Sequence, residues 1–127
     1  MGAASREYDR ADWRARHITE EELQDAVVKC ARLLGWRVHF AWLSIHSAAG
    51  YPDLTLVWPA DGAPPPGRRA RILYLELKTE RGRLTAEQEA WGAALRAIGG
   101  PVAYRVIRPA QWLDGSVERL LRGEEGA

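Results

Sequence analysis

The sequence predicts a mixed α/β domain: a central sheet flanked by helices, in the order helix, three strands, helix, strand, with a short helix at the C-terminal end. Three observations carry this. Two helical segments each open on a capping box, Thr19–Glu22 and Thr85–Gln88. Two apolar runs, Asp53–Trp58 and Arg71–Lys78, are too short for helices and too continuous for a strand solvated on one face. Glycine and proline stand between these segments, at Gly35, throughout 59–67 and at Gly99-Gly100.

In chain order, residues 1–17 are polar and arginine-rich, with Trp13 and Tyr8 the large apolar exceptions. They read as a flexible arm or a short loose helix. Leu23, Val27, Cys30 and Leu34 recur at helical spacing, and Gly35 ends that stripe. Residues 36–42 alternate as a strand buried on one face. A loop from Leu43 to Tyr51 carries Ser44, His46, Ser47 and Gly50, and leads into the strand Asp53–Trp58. The proline-rich stretch 59–67 cannot pair in a sheet and makes a hairpin-like connection to the third strand, Arg71–Lys78. The second helix runs from Thr85 to about Ile98, with Trp91, Leu95 and Ile98 expected on its buried face. Residues 101–107 form the fourth strand, Pro109 starts a turn, and the short helix follows. The domain is expected over 18–122, with a loose tail over 123–127.

A chain of 127 residues suits one domain with one core. No apolar run is long enough to span a bilayer, and the first residues show no secretory h-region. The single cysteine, Cys30, excludes an internal disulfide and a cysteine-cluster zinc site, and fits a reducing, cytoplasmic setting. A net charge of +1 argues neither for nor against nucleic acid, so local placement must decide. Of 18 basic residues only Lys29 and Lys78 are lysines. A compact ammonium at the end of the third strand is therefore a departure from the chain's habit.

Charge at a sheet core is costly unless it is paired or holds a metal. Asp53 starts one central strand, while Glu76 and Lys78 end the next and share a face, roughly 7 Å apart along the backbone. Two carboxylates suit Mg²⁺ or Mn²⁺, and the adjacent lysine can orient a water or steady developing charge. That combination hydrolyses phosphodiesters. An acidic strand start and a surface Glu–Lys pair would leave the same letters. The flanking Leu54, Leu56, Leu75 and Leu77 argue against a surface strand.

Pro52-Asp53 followed by Glu76-Leu77-Lys78 resembles the PD-(D/E)xK nuclease signature. The wider pattern resembles its VRR-NUC branch: Thr19-Glu20-Glu21-Glu22-Leu23-Gln24, Gly35-Trp36, 49–54, 76–85, Gln88 and Trp91. The likeness covers about residues 18–108. It implies a restriction-endonuclease-like αβββαβ core, a divalent metal (Mg²⁺ or Mn²⁺) and cleavage of branched or flapped DNA, such as four-way junctions, by a homodimer. It makes Asp53 and Glu76 metal ligands and Lys78 the catalytic lysine. It adds a glutamate from the first helix, for which Glu20 is favoured. Glu22 is better explained by the capping box, and Glu21 is expected to point elsewhere. Gln88 is either support for the site or only a helix cap. Arg81 and Arg83, just past the site, with His46 and Ser47 upstream of it, are candidate DNA contacts. Arg68, Arg69 and Arg71 beside the hairpin are further basic candidates. A non-catalytic DNA-binding or assembly module on the same fold is the alternative, as is a restriction-type enzyme reading a base sequence.

Overall fold

The computed structural model describes residues 3–40 and 48–124, with side chains from residue 10 onward. Its elements are α1 (Ala3–His17), α2 (Glu20–Leu33), β1 (Arg37–Phe40), β2 (Leu54–Trp58), β3 (Arg71–Leu77), α3 (Ala86–Ile98), β4 (Val102–Ile107), α4 (Pro109–Leu113) and α5 (Ser116–Arg122). The four strands form one sheet in sequence order. β1 and β2 pair antiparallel, β2 and β3 pair antiparallel through the proline-rich connection, and β3 and β4 pair parallel. The parallel pair needs a crossover, and α3 supplies it. The predicted mixed α/β fold is the one observed.

The two faces of the sheet differ. Leu54, Leu56, Leu73, Leu75, Leu77 and Ile107 point to one side. There they meet Leu23, Val27, Val28 and Ala31 of α2 and Val117, Leu120 and Leu121 of α5. Side chains alternate along a strand, so Tyr74 and Glu76 point to the other face. Tyr104 joins them, because it sits opposite Tyr74 in the parallel register. α3 covers that face over β4.

α2 starts on Thr19, whose hydroxyl accepts from the Glu22 amide at 3.1 Å, while Glu22 Oε1 accepts from the Thr19 amide at 3.3 Å. It ends where Gly35 takes φ +88°, a conformation that favours glycine. Trp36 follows at once and donates from Nε1 to the Leu121 carbonyl at 2.9 Å, tying the start of β1 to α5. Arg71 lies over the Trp36 ring at 4.8 Å and donates to the Leu120 carbonyl at 3.3 Å, and Arg68 lies over Trp58 at 4.3 Å. These two arginines serve the fold at the end of the sheet away from Asp53 and Glu76.

Three details differ from the sequence expectation. In place of a flexible arm or a short loose helix, Ala3–His17 form a 15-residue helix that packs on α4. Ala11 and Ala15, four apart, are small enough to let it approach, and Ala15 is buried. Ile98 is not on the buried face of α3 and is 64% exposed, because it is the last helical residue before the chain leaves through Gly99 and Gly100. The buried residues of α3 are Gly92 and Leu95. The turn after Pro109 is itself the short helix α4, and Gly115 at φ +85° separates it from α5. Ser44, His46, Ser47 and the end of the first predicted strand lie outside the described residues.

Gly92 is where α3 touches the sheet. A Cβ built there would fall 2.7 Å from Tyr104 Cε1 and 3.2 Å from its hydroxyl. Alanine ordinarily improves a helix by about 1 kcal/mol over glycine. Here overpacking of roughly 1–3 kcal/mol outweighs that gain. Gly92→Ala is therefore expected to lower the urea unfolding midpoint, and a raised midpoint would contradict the packing described.

Candidate active site

Asp53 ends the loop that enters β2. Extending the β2–β3 register by one residue sets it opposite Glu76, since Leu54 pairs with Leu75. Its Oδ2 accepts a hydrogen bond from the Leu77 amide at 2.7 Å. The loop is positioned from behind by Gly50, which has φ +80°. A Cβ on Gly50 would fall 2.4 Å from the Glu87 carbonyl carbon and 2.5 Å from the Gln88 nitrogen. The loop backbone therefore lies directly on the first turn of α3. Tyr51 adds edge-on contacts to Trp91, at 5.1 Å between ring centres, and to Tyr74, at 6.3 Å. Pro52 is fully buried.

The same turn of α3 carries Gln88. Its backbone amide donates to the Thr85 hydroxyl at 3.1 Å and its Oε1 accepts from the Thr85 amide at 2.8 Å. Its Nε2 donates to Glu76 Oε1 at 3.0 Å. One side chain therefore does both things the sequence left open: it caps the helix and it holds the acidic group. A planar amide can do this because it carries an acceptor and a donor on opposite atoms.

Glu76 is 2% exposed and is the only buried charged residue among the described ones. Its Oε2 is enclosed with no hydrogen-bond donor beside it among the described residues, and a hydrogen bond between its carboxyl and that of Asp53 helps hold the proton. Burial, then the neighbouring Asp53, push its pKa from 4.5 up to about 8; Lys78 opposes the shift and Glu20 adds to it. Lys78 follows β3 directly, half-buried, with its amide donating to the Ile107 carbonyl at 3.0 Å.

Glu20, at the start of α2, faces the same place. With Glu21, Gln24, Asp53 and Leu77 it lines an open cavity of about 350 Å³. Glu22 is turned to its cap, as expected. Glu21, expected to point elsewhere, lines this cavity and also a second one with Gln24, Asp25 and Val28. Glu20 and Glu21 share the first turn of α2, which opens onto the end of β3. Among the described residues no three acidic, histidine or cysteine side chains close around a common point, so Asp53 and Glu76 form a pair with Glu20 across the cavity.

The donor set suits a hard divalent cation. Mg²⁺ binds through one or two carboxylates and keeps waters. An enclosed carboxyl oxygen with no donor beside it, next to a second carboxylate, is the arrangement that such a charge would satisfy. Arg81 and Arg83 are exposed on the loop just past Lys78. Two further features had no signal in the sequence. Tyr104 lies under α3 with a buried, unpartnered hydroxyl. Arg108 donates to three carbonyls of the loop that follows Lys78. Neither belongs to a motif, and their positions depend on the β3–β4 pairing.

The raised Glu76 pKa makes a stability prediction. The folded chain holds a proton that the unfolded chain has released above pH 4.5. Without divalent metal, the stabilising contribution is complete below pH 4.5 and is lost as pH rises through 8. Chemical denaturation in EDTA should show falling stability across that window, and Glu76→Gln should flatten it. A parallel pH dependence in the variant would contradict the assignment.

The VRR-NUC domain description matches residues 5–106 of this chain. No curated protein and no solved structure matches it.

Proposed function

Because the chain belongs to the VRR-NUC family, whose domains are nucleases of the PD-(D/E)xK type, we propose that it is an Mg²⁺- or Mn²⁺-dependent endonuclease acting on branched DNA. The observation that carries this is Glu76, a carboxyl group enclosed in the sheet opposite Asp53, its pKa pushed up to about 8 by burial and by that second acid. A buried carboxyl group beside a second acid is costly to a chain that has no use for it.

Asp53 and Glu76 would hold the cation, and Glu20 would reach it or its waters from α2. When bound, the cation lowers the pKa of a coordinated water and offsets charge on the phosphate. Gln88 fixes Glu76 Oε1 and so leaves Oε2 without a donor. Lys78 places an ammonium beside the pair, where it can orient the attacking water or balance charge on the scissile phosphate. Arg81 and Arg83 supply phosphate contacts that carry no base information, which suits recognition of DNA by shape. A four-way junction has two symmetric strands to cut and each chain carries one site, so a two-fold homodimer is the proposed working form.

Cleavage of junction, flap and linear duplex DNA, each with Mg²⁺, Mn²⁺ or EDTA, tests this reading. Asp53→Ala and Glu76→Ala should abolish cutting while leaving DNA binding in place. Undiminished cutting by either variant, or in EDTA, would sink the mechanism. Glu20→Gln should slow cleavage more than Glu21→Gln, and the reverse order would move the third acidic role to Glu21. Replacing both Arg81 and Arg83 by Ala should weaken binding to all DNA forms alike and reduce the slope of log K against log salt by about 2.

A further inference from the structure

The loop after Lys78 is tied down by a side chain from the far end of β4. Arg108 Nη1 donates to the Thr79 carbonyl at 2.8 Å, the Gly82 carbonyl at 2.7 Å and, at 3.4 Å, the Glu80 carbonyl. The loop returns the contact, since Glu80 Oε2 accepts from the Ala110 amide at 3.0 Å. A further bond, from the Gly82 amide to the Thr79 carbonyl at 3.2 Å, closes the loop on itself. All three Arg108 bonds come from one nitrogen with two hydrogens, so the 3.4 Å contact to Glu80 is the weak, shared member.

The clasp reaches Lys78 through Gly82. A Cβ built on Gly82 would fall 2.8 Å from Thr79 Oγ1 and 3.5 Å from Lys78 Cδ. A side chain at Gly82 would thus just reach the aliphatic stem of Lys78, so the loop that Arg108 holds by the Gly82 carbonyl runs alongside that stem. The Lys78 backbone is fixed separately, by its bond to Ile107.

We propose that Arg108 is a positioning residue for Lys78: by gripping the 79–82 loop it keeps that loop alongside the lysine stem and so limits where the ammonium can swing relative to the acidic pair. The proposal rests on reading Lys78 as the catalytic lysine. Its consequence is a division of labour in which Arg108 touches neither DNA nor metal, yet governs the rate of the bond-breaking step. Misplacing a reacting group by about 1 Å from a distance can cost on the order of 100-fold in rate.

The test compares the full-length wild type with Arg108→Gln, Arg108→Lys and Gly82→Ala. Three quantities are read: single-turnover cleavage at saturating DNA, DNA affinity without divalent metal, and the rate of tryptic cutting after Arg81 and Arg83, mapped by mass spectrometry. Arg108→Gln should cut DNA about tenfold or more slowly, bind it within about twofold of wild type, and be nicked faster by trypsin in the loop. Arg108→Lys should fall between the two. Gly82→Ala should shift the loop by intruding on Thr79 Oγ1 and so lower the rate in the same direction, and it carries the test if Arg108→Gln does not fold.

An active wild type beside an equally fast Arg108→Gln overturns the proposal and leaves the nuclease reading intact. A loss confined to DNA affinity makes Arg108 a DNA contact and also overturns it, as does a slowed Arg108→Gln whose loop resists trypsin like the wild type. A wild type that cuts no DNA sinks the nuclease reading, and the role proposed for Lys78 with it.

Discussion

The structure turns on a carboxylate placed where carboxylates are not comfortable. Glu76 lies in the third strand of a four-stranded sheet, covered by a helix and facing a second acid. Leu75 and Leu77 on either side are locked into the opposite core. A strand that buries its odd-numbered leucines must present Glu76 on the other face. The fold cannot move the charge aside without slipping the register and exposing the core. Its neighbours are arranged around that fixed point. Gln88 reaches one oxygen, Lys78 opposes the charge, and the Asp53 loop is braced on the helix turn that supplies Gln88.

Two separate anchors make this arrangement precise. On one side, Gly50 lets the loop before Asp53 lie against the backbone of α3, so the acid from β2 and the amide from α3 are set by a single contact. On the other, the loop beyond Lys78 is held to the start of α4 by Arg108 and Glu80. The site therefore draws on nearly the whole chain, although its acidic pair comes from adjacent strands. This is the arrangement expected where chemistry needs groups fixed in advance of the substrate.

Much of this was legible in the residues. The two capping boxes marked the starts of α2 and α3 to the residue, because a Thr with an acidic or amide partner three positions on satisfies two amides that the helix start leaves free. The alternation around Glu76 was legible because apolar side chains two apart must share a face. Ambiguities arose where one residue serves two partners. Gln88 read as a cap or a site residue and is placed for both. Glu21 read as pointing away, yet the first turn of α2 is close enough to the end of β3 for it and Glu20 to line one cavity.

By itself the sequence determined the element order, the helix starts, and which strand positions would be buried, since each follows from local hydrogen bonding and side-chain period. It also determined the chemical types gathered near Pro52-Asp53 and Glu76-Leu77-Lys78. Only the tertiary structure decided that the N-terminal segment packs as a helix on α4, that Ile98 stays in solvent, and that Arg108 reaches back across 26 residues to the Gly82 carbonyl. Those outcomes depend on which surfaces meet once the parallel β3–β4 pair has formed. No pattern of neighbouring residues records that, because the groups concerned share no period and no turn of chain.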